Sequence, residues 1–197
     1  MYETRTAIGP RDALVVVDVQ NDFLPGGALP VADGDAVIPV LNRWIDAFAE
    51  RGLPVFFTRD WHPVRHCSFE AQGGTWPPHC VAGTEGAAFA ETLETPAPAR
   101  VISKATREDE EAYSGFEGTE LAAELKALGV ERVFVGGLAT DYCVRATVLD
   151  ARELGFDVYL VEPAVRAVNR DLGDGDRAIA DMKAAGARIT DAMAPAA

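Results

Sequence analysis

Six apolar runs of strand length, several joined by segments of helical periodicity, leave this 197-residue chain few folds to adopt. The runs are Ala13–Gln20, which ends in polar residues, then Leu53–Thr58, Ala99–Ser103, Arg132–Val135, Asp157–Val161 and Ala187–Thr190. Val133-Phe134-Val135 is apolar at consecutive positions, as in a strand buried on both faces. Val37, Leu41, Trp44/Ile45 and Phe48 mark an amphipathic helix over 35–50, closed by Gly52. Pro39 falls near its first turn, where a missing donor does least harm. Leu121, Leu125 and Leu128 predict a helix over 118–128, and another spans 174–185. Between them, Gly136-Gly137 turns the chain into a helix carrying Val144, Val148, Ala151 and Leu154, stopped by Gly155, with Thr140 or Asp141 as its expected cap. Alternation of this kind predicts an α/β fold: three αβα layers around a mostly parallel, doubly wound sheet.

The length suits one domain, 1–197, with a sizeable core. Residues 59–98 break the alternation and read as an irregular insertion with one short helix near 85–93. A loop this long in a compact domain is usually functional or disordered, and its aromatics and histidines argue against disorder. A net charge of −13 makes a nucleic-acid backbone an unfavourable partner. No apolar stretch is long enough to span a bilayer, and Met1–Arg5 does not begin a signal peptide, so a cytoplasmic protein is expected. Three cysteines, 67, 80 and 143, are an odd number and suggest reduced thiols.

Sites in doubly wound sheets gather at the carboxyl ends of the strands. Asp18, Lys104 and Cys143 lie at or just beyond three such ends, so a carboxylate, an ammonium and a thiol can converge from distant parts of the chain. Cys143 sits in the first turn of its helix, where free N–H groups and the helix dipole favour a thiolate nucleophile. A carboxylate can take a thiol proton and return it to a leaving amine, and an ammonium alongside stabilises the anion. Each residue also has a plainer use: Asp as a turn cap, Lys reaching solvent, Cys as a small core residue. Their shared edge of the sheet favours the joint reading.

All three histidines fall in the insertion. Asp60-Trp61-His62 and His79 supply one carboxylate and two imidazoles, a set suited to zinc, iron or manganese with coordination positions left open. A solvated loop histidine or a local turn hydrogen bond accounts for the same pattern without a metal. His66 is either a fourth ligand or a group supporting the ligands. Cys67 and Cys80 lack the paired spacing of a structural zinc site.

Five segments in order, Asp18–Phe23, Arg59–Pro63, Trp76–Cys80, Lys104–Thr106 and Gly137–Val144, resemble the signature segments of nicotinamidases, members of the isochorismatase-like cysteine hydrolases. Tyr113–Phe116 and Ala164–Arg166 fit as well, and the resemblance runs from about Ala13 to Ile189. It implies that Cys143 attacks the carboxamide of nicotinamide, with Asp18 as general base then acid and Lys104 completing the triad. It further implies a cis peptide between Leu138 and Ala139, with the N–H groups of Ala139 and Cys143 forming an oxyanion hole. Asp60, His62 and His79 would hold one divalent ion, zinc first and iron or manganese as alternatives, to orient the pyridine nitrogen. Phe23 and Trp76 would pack on the ring, and His66 would support the ligands. The expected reaction gives nicotinic acid and ammonia, with pyrazinamide as a second substrate. The alternative is a cysteine amidohydrolase for another small amide or carbamoyl compound. Isochorismate hydrolysis uses no thiol, so Cys143 argues against it. Relatives commonly assemble as homo-oligomers, which the sequence leaves open.

Overall fold

The computed structural model describes residues 5–193. Its centre is a six-stranded, all-parallel sheet in the order β4-β3-β2-β5-β6-β7. The strands are β2 (Asp12–Val17), β3 (Val55–Asp60), β4 (Arg100–Lys104), β5 (Arg132–Leu138), β6 (Asp157–Arg166) and β7 (Arg188–Thr190). A small separate pair, β1 (Arg5–Thr6) with β8 (Ala192–Met193), is also parallel and has no counterpart in the sequence reading.

All six residues of β2 are buried, as expected of a strand enclosed on both faces. One apolar cluster joins Leu14, Val16 and Phe134 to helix α1 (Ile38–Ala49) through Leu41, Trp44, Ile45 and Phe48. The opposite face, with Val15, Val17, Val133 and Val135, is covered by α2 (Leu121–Ala127), α3 (Arg145–Glu153) and α4 (Asp174–Ala184), which contribute Leu121, Leu125, Val148 and Met182. This is the expected three-layer arrangement. The helix over 35–50 begins with a 3-10 turn, Gly34–Val37, and Pro39 sits at the start of α1.

Chain order explains where a site can form. From β2 the sheet grows one way through β3 and β4, and the other way through β5, β6 and β7. The switch point therefore lies between β2 and β5, where a crevice opens at the carboxyl ends. Gly136 and Gly137, expected to turn the chain into a helix, lie instead within β5; Gly137 lets β5 close on β2, and Gly136 admits α1 and β6. A Cβ on Gly137, whose φ is +128°, would lie 2.0 Å from the Val17 carbonyl oxygen, and one on Gly136 would meet Leu41 and Ala164 at 3.0 Å.

The insertion is irregular, with a 3-10 turn at Glu70–Gln72 and isolated bridges Gln20↔Phe89, His62↔Val81 and Phe69↔Trp76. The helix expected over 85–93 does not form. Backbone groups there bind the loop after β2 instead: Asn21 N–H donates to the Ala88 carbonyl, Asp22 N–H to that of Gly86, and Ala90 N–H to that of Val19. Tertiary hydrogen bonds have replaced the helical ones, and Ala87, Ala90 and Leu93 are buried by them.

Candidate active site

Four neighbouring strands, β4, β3, β2 and β5, deliver Lys104, Asp60, Asp18 and Cys143 to one edge of the sheet. Asp18 follows the last residue of β2 and has a φ of +48°, a left-handed conformation uncommon outside glycine. Lys104 ends β4 and Asp60 ends β3, as register partners. Cys143 lies beyond β5 in a single π-helical turn, Thr140–Val144, followed directly by α3. Val144 N–H donates to the Ala139 carbonyl, the five-residue step of a π turn, a feature common at functional sites.

Neither Thr140 nor Asp141 caps this turn through its side chain. The Asp141 carboxylate reaches across to accept from Val168 N–H at 2.9 Å and Asn169 N–H at 2.8 Å, tying the turn to the loop after β6. The Leu138–Ala139 peptide is cis. Ala139 and Cys143 both line the crevice.

Lys104 is the hub. Its ammonium donates to Asp60 Oδ1, to the Ala112 carbonyl at 3.2 Å and to Cys143 Sγ at 3.4 Å, which accounts for its three N–H bonds. It also stands 3.0 Å from Asp18 Oδ2. The carboxylates of Asp18 and Asp60 hold Lys104 well above its ordinary value, although burial opposes them. It remains a cation. Burial raises the Asp18 carboxyl, against the pull of Lys104. Burial also pushes the Cys143 thiol well up; Lys104 lowers it, while Asp18 and Asp60 raise it further. Burial and two carboxylates thus oppose the thiolate that the first-turn position favours, and a base is needed to remove the thiol proton.

Asp60, His62 and His79 are buried, and one ligand atom from each lies within 4.8 Å of the others. His62 Nδ1–H donates to the His79 carbonyl at 2.9 Å and His79 Nδ1–H to that of Pro77 at 2.8 Å. Both rings thus turn Nε2 lone pairs outward, as metal-binding imidazoles held by backbone carbonyls do. Burial lowers His62 to about 3, so its ring is neutral and free to bind a cation. The donor set fits a divalent ion. Gln20 supports it, its side chain bonding both the N–H and the carbonyl of Asp60.

The His66 ring lies tilted against His62 at 4.3 Å between centroids, but both its nitrogens are engaged. Nε2–H donates to the Glu110 carbonyl at 2.9 Å, and Nδ1 accepts from the Ser68 hydroxyl at 2.7 Å. His66 thereby fastens the insertion to the loop after β4.

Phe23 and Trp76 both line the crevice, Phe23 facing His79 at 5.6 Å. Sequence reasoning gave no role to two tyrosines that complete the wall. Tyr113 accepts a hydrogen bond from Trp76 Nε1–H at 3.0 Å, and Tyr142 meets Trp76 edge-on at 5.1 Å. Tyr142 directly precedes Cys143, the one signal that marked it.

A family model described as the isochorismatase domain matches residues 12–194. The nicotinamidase of Escherichia coli (strain K12) is 39% identical over 91% of this chain and 94% of its own length. Among solved structures, the pyrazinamidase of Pyrococcus horikoshii in complex with zinc is 52% identical, with a TM-score of 0.88 over 92% of this chain and 99% of that one. PnC1 from L. infantum in complex with nicotinate is 38% identical, with a TM-score of 0.84 over 94% and 95% of the two chains.

Proposed function

This chain belongs to the isochorismatase family, and from that membership we propose that it is a nicotinamidase, an amidohydrolase cleaving nicotinamide to nicotinic acid and ammonia. Pyrazinamide, with the same carboxamide on a similar ring, is a second substrate. One observation carries the reading: the Lys104 ammonium touches Cys143, Asp18 and Asp60 together, joining a nucleophile and base to a candidate metal ligand.

Asp18 takes the thiol proton as sulfur attacks the carboxamide carbon, then gives it to the departing ammonia. Lys104 stays charged throughout and offsets the negative charge that passes between sulfur and carboxylate. The N–H groups of Ala139 and Cys143 serve as the oxyanion hole; fixed donors of this kind typically contribute a factor of about 100–1,000 in rate. Water then releases nicotinic acid from the thioester, with Asp18 again accepting a proton. Asp60, His62 and His79 would hold one divalent ion, zinc first and iron or manganese as alternatives, with His66 supporting them. When bound, that ion supplies a Lewis-acidic partner for the pyridine nitrogen. Phe23, Trp76, Tyr113 and Tyr142 close on the ring and exclude water. We read the 59–98 insertion as the part of a single domain that carries metal and substrate.

The second reading, hydrolysis of another small amide or carbamoyl compound, uses the same triad but gives the two outward-facing imidazoles no task. Ammonia release measured across nicotinamide, pyrazinamide and a carbamoyl amino acid separates them. Turnover of both aromatic amides, well above the third, is expected. Preference for the carbamoyl compound would reject the proposal.

A further inference from the structure

We propose that Thr58 is a positioning residue that reserves one oxygen of Asp18, Oδ2, as the proton carrier of the reaction. Asp18 and Thr58 are both fully buried, so no solvent shares in their hydrogen bonding. The Thr58 hydroxyl donates to Asp18 Oδ1 at 2.6 Å. Two further contacts hold Thr58 in place. Its carbonyl accepts from Asp18 N–H at 3.2 Å, which fixes the two residues side by side. Its methyl packs on Gly115 so closely that a Cβ there would lie 2.8 Å from Thr58 Cγ2. With the methyl lodged against Gly115, the hydroxyl is left facing the carboxylate.

The other oxygen is in the opposite situation. Among buried side-chain oxygens and nitrogens of the described residues, Asp18 Oδ2 alone has no hydrogen-bond partner. Lys104 stands 3.0 Å away, but its N–H bonds are directed at Asp60, Ala112 and Cys143. Oδ2 is therefore held by the charge of Lys104 rather than by a directed bond, on the side of the carboxylate not taken by Thr58, and an oxygen of Asp18 lies within 4.8 Å of Cys143 Sγ. Oδ1 accepts from Thr58 whether or not the carboxyl carries a proton, so the proton has one place to go. The S–H bond breaks as Oδ2–H forms, while the sulfur electron pair makes the C–S bond. The C–N bond then breaks, and the Oδ2 proton leaves with ammonia. In the second half water gives a proton to Oδ2 as the C–O bond forms. C–S cleavage returns that proton to sulfur.

This inference rests on the cysteine mechanism above, and the test keeps the two apart. Zinc-loaded Thr58→Val, Thr58→Ser and Cys143→Ala are compared with the parent for kcat, KM and zinc per chain. Thr58→Val keeps the shape and removes the donor, and kcat is expected to fall about 10- to 100-fold, the worth of a hydrogen bond to a charged group. KM should stay within about twofold and zinc content should be unchanged. Thr58→Ser restores the hydroxyl and should return kcat to within a few fold of the parent. The proposal is overturned if Thr58→Val keeps its kcat, if it loses zinc or KM along with kcat, or if Thr58→Ser is as impaired as Thr58→Val. Should the valine variant fail to fold, the serine variant alone decides, since a large loss there means that methyl packing is what matters. An active Cys143→Ala would instead reject the cysteine mechanism itself.

Discussion

In the proposed mechanism Cys143 is the nucleophile and Asp18 the base that activates it. Burial raises the thiol, so its reactivity depends on the buried carboxylate beside it. Cys143→Ala is expected to lower kcat by at least about 10³-fold with circular dichroism and Tm preserved; appreciable residual turnover would count against the nucleophile. The pH dependence follows from the direction of the Asp18 shift. A base must be ionised to act, and burial raises this carboxyl, so kcat/KM should fall on acidification at a pH above the ordinary carboxylate range. An acid limb at or below that range would mean that another group is the base. Asp18, Lys104, Cys143, Asp60 and His79 were legible because rare chemistry stood at strand ends or in a compositionally odd loop. Thr58 was not, and Gln20, Tyr113 and Tyr142 stood within the matching segments without a role, since a threonine in a strand or a tyrosine in a loop is ordinary until its neighbours are known.

Among the elements, apolar runs locate the strands but not their ends: β5 and β6 run on to Leu138 and Arg166, past the expected ends at Val135 and Val161. The apolar runs of β2 and β5 are set by burial on both faces, which composition reports directly. The π turn at Thr140–Val144 has the sequence of an ordinary capped helix start, because its one-residue excess leaves no mark on apolar spacing. The helix expected near 85–93 was lost to hydrogen bonds with Asn21 and Asp22, partners about 65 residues distant. Gly137 tests how tightly β5 must approach β2. Gly137→Ala should cost about 2–4 kcal/mol in urea unfolding, from backbone strain plus collision with Val17. Gly118→Ala, with φ at +66° and open space around it, should cost only the left-handed penalty of about 1–2 kcal/mol. Equal losses would show that the close approach is unimportant.

For the molecule as a whole, a metal that binds only the folded chain must stabilise it by mass action. Zinc at about 100 times its Kd adds roughly 2.7 kcal/mol, which for a chain of this size raises Tm by about 5–10 °C. Chelation should reverse that rise and abolish turnover of nicotinamide, with zinc, manganese or iron restoring both. An unchanged Tm in His79→Ala on adding zinc, against a rise in the parent, would identify the ligand set; a rise in both would refute it. None of the helices among the described residues is long and apolar enough to cross a membrane. Taken by itself, the sequence determined the α/β architecture and the strand ends bearing reactive side chains, because periodicity and turn chemistry are local properties. Only the tertiary structure decided the burial that raises the Cys143 thiol, the orientation of the imidazoles and the different surroundings of the two Asp18 oxygens. Those depend on burial and on contacts that the fold makes across the chain, Asp18 with Thr58 40 positions apart, Lys104 with Cys143 39 and His62 with His79 17, which periodicity does not encode.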